Sequence, residues 1–506
     1  MNRRTLAAVS IITGAGLVLR LLVFQQSLFG DELSTLYLVD GKNIGAVFSA
    51  VSSDAEISPP LYFLLAWLAT NLADSAELVR LPALLAGVAL IPSVYALGKR
   101  AAGSGAGLLS AAIVATAPFM VFLSATGRAY SLMLLLLVGA ALCLVRATDR
   151  GGWWWGAWGL CAAAAMYSHY TAAFVLITQL LWGLWVHPAS RRSLLLAAGA
   201  AAVIFLPWIV QLKADLDSPT NDLLQNLQGS GFAAKREAFA QWGFGHPVVG
   251  PDQLPGDAVW LAMGLAVFAA AGFAIVRHRD RLNQIGDWAR ENPVIVLVAL
   301  AAVATPLGEV VLSLAGVDLL GARNLTASWP FVAIVVSFLV TRAGRVPAVC
   351  TGLVILAGLI YGAILTVSTY RLPDYQAAAS EIESRAGTGD SVVDLLSPAL
   401  TPVPLTPLEA ALELPEGVRV YDVNQPLGEP PFLPLTPKAD PDQLLEEAFR
   451  RSRDGTVFVV GPRAEVVEGD RARFRDGNLW LPAGWRVESS RSYPGLADLE
   501  LYRVTR

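Results

Sequence analysis

Apolar runs of about 20 residues recur along the chain from Thr5 to the neighbourhood of Thr369. A helix that rises 1.5 Å per residue needs about that many residues to cross the roughly 30 Å hydrocarbon core of a bilayer. The runs therefore predict eleven membrane-spanning helices. They lie at about 5–24, 78–98, 105–125, 129–147, 153–168, 171–187, 193–212, 257–277, 293–314, 327–341 and 346–368.

One further apolar segment, Pro59–Leu72, begins with two prolines and is too short to cross the membrane unless its neighbours extend it. We interpret it as an interfacial or re-entrant helix. If it does cross, a second crossing must lie nearby, and the number of spans rises to thirteen.

The positions of Lys and Arg in the short loops predict the orientation, because these residues are retained on the cytoplasmic side. The basic clusters are Arg3 and Arg4, Lys99 and Arg100, Arg146 and Arg150, Arg191 and Arg192, Arg277 to Arg281, and Arg342 to Arg345. Eleven spans place every cluster inside if the N-terminus is cytoplasmic. The tail then lies outside, on the extracytoplasmic face.

Three polar segments face the outside in this topology: 25–58, 213–256 and 370–506. The first reads as a loop with short amphipathic helices lying on the membrane. The second is predicted to be a lid over a site or a mobile linker. We therefore predict a transmembrane module over residues 1–369, which includes the first two segments, and a soluble extracytoplasmic domain over 370–506.

The tail alternates between two periodicities. Helical patterns at Asp374–Arg385 and Pro441–Arg453 alternate with strand-like runs at 391–395, 418–423, 456–460 and 499–504. Such alternation predicts a small α/β domain. The segment Pro398–Pro437 is rich in proline and is predicted to be mostly irregular.

Composition agrees with a membrane protein: 55% of the 506 residues are hydrophobic and 15% are charged, against about 25% charged in soluble domains. The net charge of −4 conceals an acidic tail, since 22 of the 41 acidic residues follow Tyr370. Nothing in this distribution indicates nucleic acid binding. The three cysteines lie inside apolar runs, which excludes a disulfide framework or a zinc ribbon.

The acidic pair Asp31-Glu32 directly follows the first span, at the outer membrane surface. A carboxylate in a partly desolvated cleft has a raised pKa and can take a proton from an attacking hydroxyl. Asp31 could instead cap a helix over Glu32–Leu38. Both functions can coexist in adjacent residues.

Two arginines, Arg128 and Arg323, lie in outside loops, where positive charge is disfavoured by topology. The planar guanidinium matches two phosphate oxygens, so the pair suits an anionic ligand. The alternative is structural ion pairing with Asp31, Glu32 or Asp318.

Other polar residues accompany the spans. His169 and Tyr170 occupy an outer turn, where a histidine is more often a hydrogen-bonded packing residue than a ligand. Arg80 begins a span, and Glu309, near the outer end of another, is a candidate partner of Arg80 or Arg323.

At these residues the sequence resembles the bacterial membrane glycosyltransferases of the GT-C superfamily, in the group of the dolichyl-phosphate-mannose protein mannosyltransferases and aminoarabinose transferases. The motifs are Asp31-Glu32, Ser58-Pro59-Pro60-Leu61-Tyr62-Phe63, Arg80-Leu81-Pro82, Arg128-Ala129-Tyr130, Tyr167-Ser168-His169-Tyr170, and Arg323 before Pro330. Their order and spacing cover roughly Thr5 to Phe331. The sequence departs from the group at Ser58, where many relatives have histidine.

The resemblance implies a donor sugar linked to a polyprenyl phosphate, inversion at the anomeric carbon, and a site at the outer leaflet of a bacterial cytoplasmic membrane. It implies that Asp31 is the base with Glu32 beside it, and that Arg128, Arg323 and Tyr130 bind the donor phosphate. The predicted substrate pocket comprises Ser58, Tyr62, Arg80, His169 and Tyr170. No cofactor is required, although a divalent cation at Asp31 and Glu32 stays open.

The acceptor could be an envelope glycan, a lipid or a protein. Two other functions also fit a polar pocket among membrane helices. One is a transporter or flippase of lipid-linked glycans, which inverted repeats and broken helices would favour. The other is a glycan polymerase or ligase with lipid-diphosphate donors, which would require several arginines in a large outside loop.

Overall fold

The computed structural model describes residues 2–53, 56–73, 75–218, 229, 231–279, 284–395, 403, 405–422, 440–452 and 455–506. The α-helices are α1 Arg3–Phe24, α2 Asp31–Val39, α3 Ile44–Val51, α4 Leu61–Thr70, α5 Leu81–Ala102, α6 Ser104–Thr116, α7 Pro118–Leu123, α8 Tyr130–Arg150, α9 Trp154–Met166, α10 Ala172–Val186, α11 Arg191–Phe205, α12 Ile209–Leu216, α13 Phe232–Phe244, α14 Asp257–Arg277, α15 Ile285–Glu291, α16 Pro293–Leu314, α17 Trp329–Arg342, α18 Arg345–Val367, α19 Tyr375–Glu383 and α20 Pro441–Arg451. The strands are β1 Ser391–Asp394, β2 Arg419–Asp422, β3 Val457–Gly461, β4 Glu465–Gly469, β5 Arg473–Arg475, β6 Asn478–Pro482, β7 Arg486–Tyr493 and β8 Leu499–Thr505.

The chain forms two compact units. The first comprises residues 1–24, 57–65 and 80–367, and the second comprises residues 25–56, 66–79 and 368–506. The second unit is therefore assembled from three separate segments of the chain. The sequence analysis did not anticipate that the first two of these group with the tail.

The first unit is a bundle of apolar helices. Within the described residues, eight helical stretches are long and apolar enough to cross a membrane, and three shorter apolar helices accompany them. The multi-pass helical membrane fold predicted from the sequence is thus confirmed. The segment predicted as interfacial or re-entrant contains α4, whose 10 residues span only about 15 Å.

The predicted span at 105–125 is interrupted at Ala117, which has extended backbone dihedral angles between α6 and α7. Pro118 has no N–H group, so the carbonyl of Val114 lacks its usual helical donor four residues later. Arg20, which is fully buried on α1, supplies donors instead. Its Nη2 donates to the Val114 carbonyl at 3.0 Å, and its Nη1 donates to the carbonyls of Ala115 at 3.0 Å and Gly16 at 2.9 Å.

Small residues allow the helices of this unit to approach closely. A Cβ atom added to Gly87 on α5 would lie 2.2 Å from Oγ and 2.3 Å from Cβ of Ser124, which directly follows α7. A Cβ atom added to Gly107 on α6 would lie 2.8 Å from backbone atoms of both Tyr95 and Lys99 on α5. Contacts this short exclude any larger side chain unless the backbone shifts, as expected where membrane helices pack through small residues.

The second unit contains a five-stranded sheet in the order β2-β1-β3-β8-β7 and a three-stranded sheet in the order β4-β6-β5. Strand β1 pairs in parallel with β2 and β3, whereas β8 is antiparallel to β3 and β7. Helix α19 packs on one face of the larger sheet and α20 packs on the other. The predicted small α/β domain is confirmed. About half of the proline-rich segment 398–437 lies outside the described residues.

Specific hydrogen bonds join the early segments of this unit to its tail. The side-chain oxygen of Gln26 accepts from the N–H of Leu372 at 2.8 Å, and Oγ of Ser27 accepts from the N–H of Gln376 at 3.0 Å. Phe29 packs against the cluster between α19 and the sheet. These contacts make residues 25–29 part of the same core as the tail.

Candidate functional site

The acidic pair begins helix α2. Gly30, with a positive φ of 61°, is the N-cap, and no side chain caps this helix. The alternative prediction that Asp31 is the capping residue is therefore wrong, because Asp31 already occupies the first helical position. Glu32 is 1% exposed. Both carboxylates lie in the first turn, where the helix dipole favours negative charge.

Arg128 lies just before α8 and contacts the motif that begins at Ser58. Its Nη2 is 3.4 Å from Oγ of Ser58, and its guanidinium carbon is 5.7 Å from the centre of the Phe63 ring. The N–H of Leu61 donates to the carbonyl of Tyr167 at 3.0 Å. Three motifs that are far apart in sequence, those of Ser58, Arg128 and Tyr167, therefore meet in the first unit.

Tyr130 and His169 lie beside Arg128. Their ring centres are 5.2 Å apart with the planes inclined by 38°. His169 Nδ1 interacts with Oγ1 of Thr171 at 2.9 Å and accepts from the N–H of that residue at 3.3 Å. Burial, together with the nearby positive charge of Arg128, lowers the pKa of His169 to about 4. The imidazole is therefore neutral at pH 7 and adds no positive charge to that of Arg128.

Tyr170 and Arg80 make contacts of a structural kind. The Tyr170 hydroxyl donates to Asp215 and accepts from the indole N–H of Trp208 at 2.9 Å. Arg80 is fully buried, and its Nη1 donates to the carbonyl of Phe24, the last residue of α1, at 2.7 Å. That bond satisfies one of the carbonyls left without a partner at a helix end.

Tyr62 is also fully buried. Its ring packs edge-on against Phe63, with the ring centres 6.3 Å apart. Tyr62 therefore supports the ring that the Arg128 guanidinium approaches.

Arg323 precedes a short 3-10 turn, Asn324–Ser328, that leads into α17. It is exposed, whereas its neighbours Ala322 and Leu325 are buried.

Asp318, which was considered as an ionic partner for the outside arginines, pairs with Lys235 at 2.6 Å. Oε2 of Glu309 is buried without a hydrogen-bond partner among the described residues. The charges that act on Glu309 are those of Asp318 and Lys235.

The predicted site residues divide between the two units. Asp31 and Glu32 belong to the second unit, whereas Arg128 and Arg323 belong to the first. The other predicted residues, Ser58, Tyr62, Arg80, Tyr130, His169 and Tyr170, also belong to the first.

A polar cavity of about 360 Å³ lies within the second unit, at the C-terminal end of α2. The residues that line it include Tyr37, Asp40, Lys42 and Glu409. Burial and the negative charge of Asp422 raise the pKa of Glu409 to about 7. Helix α2 thus begins at the acidic pair and ends at this cavity.

The acidic pair does not form a metal cage. No group of three or more His, Cys, Asp or Glu side chains that could hold a metal occurs in the parts of the chain that the structure describes. The positive end of the α2 dipole also opposes a cation at Asp31 and Glu32. Among the described residues, Asp31 and Glu32 therefore have no third protein ligand of these types for the divalent cation considered from the sequence.

Comparison with known proteins agrees with this arrangement. Residues 58–210 match the model of the family described as dolichyl-phosphate-mannose-protein mannosyltransferase. The matched region contains the motifs of Ser58, Arg80, Arg128 and His169. No curated protein matches the sequence.

Solved structures extend the comparison to nearly the whole chain. ArnT from Cupriavidus metallidurans in the apo state is 11% identical, with a TM-score of 0.50 over 98% of this chain and 97% of that one. The oligosaccharyltransferase of Archaeoglobus fulgidus, tethered to an acceptor peptide, is 12% identical, with a TM-score of 0.50 over 91% of this chain and 69% of that one.

The chain has the GT-C fold. The resemblance inferred from the motifs is therefore confirmed at the level of the fold, and the chain has the helical architecture of a multi-pass membrane protein.

Sequence reasoning missed two sets of contacts made by charged side chains in this chain. The ion pair between Lys235 and Asp318 joins helix α13 to the loop before Arg323. The only signal for it was a lysine in a polar outside segment and an aspartate in a short loop. The second set joins Arg20 on α1 to carbonyls on α6, and these partners could not be predicted from the sequence of α1 alone.

Proposed function

We propose that this protein transfers a monosaccharide from a polyprenyl-phosphate-linked donor to an extracytoplasmic acceptor, with inversion at the anomeric carbon. The observation that supports the proposal is that the Ser58, Arg128 and Tyr167 motifs meet: the Arg128 guanidinium contacts the Ser58 motif, and that motif is hydrogen-bonded to Tyr167. These motifs lie in the region that matches a family defined by a lipid-phosphate-linked mannose donor. The proposed location is the bacterial cytoplasmic membrane, with the N-terminus cytoplasmic and the tail outside.

In the proposed reaction the carboxylate of Asp31 accepts the proton of the acceptor hydroxyl. The hydroxyl oxygen then forms a bond to the anomeric carbon on the face opposite the phosphate. The bond between that carbon and the phosphate oxygen breaks, and polyprenyl phosphate leaves with the electron pair. Positive charge from Arg128 and Arg323 stabilises the negative charge that develops on the leaving group. Glu32, buried beside Asp31, is proposed to keep the local field negative so that the base stays reactive.

The base is tested with Asp31→Asn, which keeps the size of the side chain but cannot accept the proton. We expect turnover of a sugar-linked undecaprenyl phosphate donor to fall by about 10²- to 10⁴-fold. Affinity for undecaprenyl phosphate itself should change little. Asp40→Asn, an exposed position in the turn after the same helix, is the matched control. Native turnover in Asp31→Asn would show that another group is the base.

The phosphate site is tested with Arg128→Ala. A hydrogen bond to a charged group contributes about 1.5–3 kcal/mol, so affinity for undecaprenyl phosphate should fall by about tenfold or more. Arg150→Ala, at the other end of α8 and exposed, is the control. If Arg128→Ala binds undecaprenyl phosphate as tightly as the native protein does, the guanidinium does not contact the phosphate. Mass analysis of the cell envelope from a deletion strain would identify the sugar and the acceptor.

A further inference from the structure

Helix α13 holds the segment between α16 and α17 at two points. Near its start, Nζ of Lys235 lies 2.6 Å from Oδ1 of Asp318 and donates to the carbonyl of Leu320 at 3.2 Å. Near its end, the carbonyl of Trp242 accepts from the indole N–H of Trp329 at 2.7 Å. The two attachment points are about 10 Å apart along the helix. Such spacing restrains both the position and the direction of the segment.

Arg323 lies between these attachments. The backbone around it is fixed locally, since the N–H of Asn324 donates to the carbonyl of Gly321 at 3.1 Å and its side-chain amide donates to the carbonyl of Leu319. Leu320 and Leu325 are buried on either side. The exposed guanidinium of Arg323 is therefore carried on a segment whose backbone is anchored at both ends.

The charges around Lys235 indicate which function this lysine has. Its side chain is 17% exposed, and that of its partner Asp318 is 24% exposed. The carboxylate of Asp318 neutralises this ammonium, so the pair has no excess positive charge to attract a phosphate. Lys235 is thus suited to hold the loop and unsuited to bind the donor.

We propose that α13 is a brace that holds the segment Asp318–Trp329 and thereby orients Arg323 toward the phosphate of the lipid donor. Lys235 is the positioning residue in this brace. The inference rests on the proposed function in one respect, namely that Arg323 binds phosphate. The brace itself is independent of that assignment.

The first test measures binding of undecaprenyl phosphate to the full chain in detergent micelles. We expect Lys235→Met, which keeps most of the aliphatic stem, to weaken binding by roughly three- to tenfold, consistent with coupling through a neighbouring group. Arg323→Ala should weaken it at least as much. The double variant should bind no more weakly than Arg323→Ala alone, because a brace without its guanidinium has nothing to orient. Arg236→Met, the exposed neighbour on α13, should bind as the native protein does.

A variant that exchanges the two charges distinguishes loss of the ion pair from general misfolding. Lys235→Asp combined with Asp318→Lys restores the pair in the opposite sense, and we expect binding to recover to within roughly threefold of the native value, given the loss of a matched geometry. If the losses from Lys235→Met and Arg323→Ala instead add, Lys235 acts independently of Arg323 and the positioning function is overturned.

Hydrogen exchange separates failure of the brace from failure of the proposed function. In Lys235→Met, amides of residues 318–329 should exchange at least tenfold faster than in the native protein, since local opening is governed by such contacts. Unchanged exchange would overturn the brace. Faster exchange together with native affinity in Arg323→Ala would uphold the brace and refute the assignment of Arg323 to the donor phosphate.

Discussion

Arg20 offers a direct test of how a break in a membrane helix is stabilised. Its guanidinium donates to the carbonyls of Val114 and Ala115, which lie at the end of α6 where Pro118 cannot supply an N–H group. Replacing Arg20 with methionine keeps an unbranched apolar stem and removes all the donors. Both carbonyls would then lack these side-chain donors in an apolar interior.

The magnitude follows from two contributions. A buried acceptor left without its donor costs about 1–3 kcal/mol, so two cost roughly 2–6 kcal/mol. In the unfolded state, where the helix lies unpacked in the membrane, an arginine must face lipid or reach toward water. This exposure costs about 2.5–3.5 kcal/mol at the bilayer centre and less toward the surface, and folding removes the cost. The substitution removes both contributions, so we expect Arg20→Met to lower the free energy of unfolding by about 2–9 kcal/mol, depending on the depth of Arg20 in the bilayer.

Unfolding by sodium dodecyl sulfate in mixed micelles, followed by circular dichroism, measures this difference. Pro118→Ala restores an N–H group four residues after Val114, so Arg20→Met should cost about 1 kcal/mol less in that background. Arg4→Met, at an exposed position of the same helix, controls for the loss of a charge. If Arg20→Met has the native free energy of unfolding, the guanidinium does not replace the missing N–H group. The same conclusion follows if Arg20→Met lowers this free energy equally in the native chain and in Pro118→Ala.

Two further predictions concern packing and pH. Gly87→Ala places a Cβ atom 2.2 Å from Oγ of Ser124, so the helices must separate. We expect the free energy of unfolding to fall by about 1–3 kcal/mol and the second substitution Ser124→Gly to restore most of it. Unfolding in mixed micelles checks both variants. Glu409 has a pKa of about 7 in place of its ordinary 4.5, because of burial and then the charge of Asp422, so the folded protein binds a proton that the unfolded chain releases. The contribution of Glu409 to the free energy of unfolding should therefore be fully present below pH 4.5. It should be lost as the pH rises through 7, and the loss should be at most about 3 kcal/mol. Hydrogen exchange of residues 405–422 measured against pH checks this, and Glu409→Gln should abolish the pH dependence. If that variant keeps the native pH profile, a group other than Glu409 causes the dependence.

The membrane helices were predictable because their signal is local. A run of about 20 apolar residues is visible without knowledge of its neighbours, so α1, α8, α14, α16 and α18 lie within a few residues of the predicted spans. The interruption at Ala117 was missed, although Pro118 marks it in the sequence. A single proline is tolerated in many membrane helices, so its presence alone does not predict a break.

The tail was predicted in part for a physical reason. Strands β1, β2, β3 and β8 are short runs with mostly buried residues, and their hydrophobic patterns marked them. Strand β7, Arg486–Tyr493, is exposed along nearly its whole length and has no apolar alternation. A strand of that kind is stabilised by its pairing with β8, which a hydrophobic pattern does not record.

The candidate site shows the same limit. Individual residues such as Arg128 and His169 were identified because polar groups in or beside membrane spans are costly. Their mutual contacts, and the link between Lys235 and Asp318, depend on helices that are distant in sequence. The resemblance to a family supplied the order of the motifs, and the fold supplied the neighbours of each side chain.

The assembly of the second unit from three stretches of chain constrains the order of events during biosynthesis. Residues 25–79 leave the ribosome well before the tail that completes their core. At 5–20 residues per second, the intervening residues 80–367 take roughly 15–60 s to make. During that interval Gln26, Ser27 and Phe29 have no partner from the tail, and the unfinished core of this unit is open to chaperones and proteases. A nonsense mutation between Val367 and Gln376 should therefore destabilise residues 25–29 as well as remove the tail.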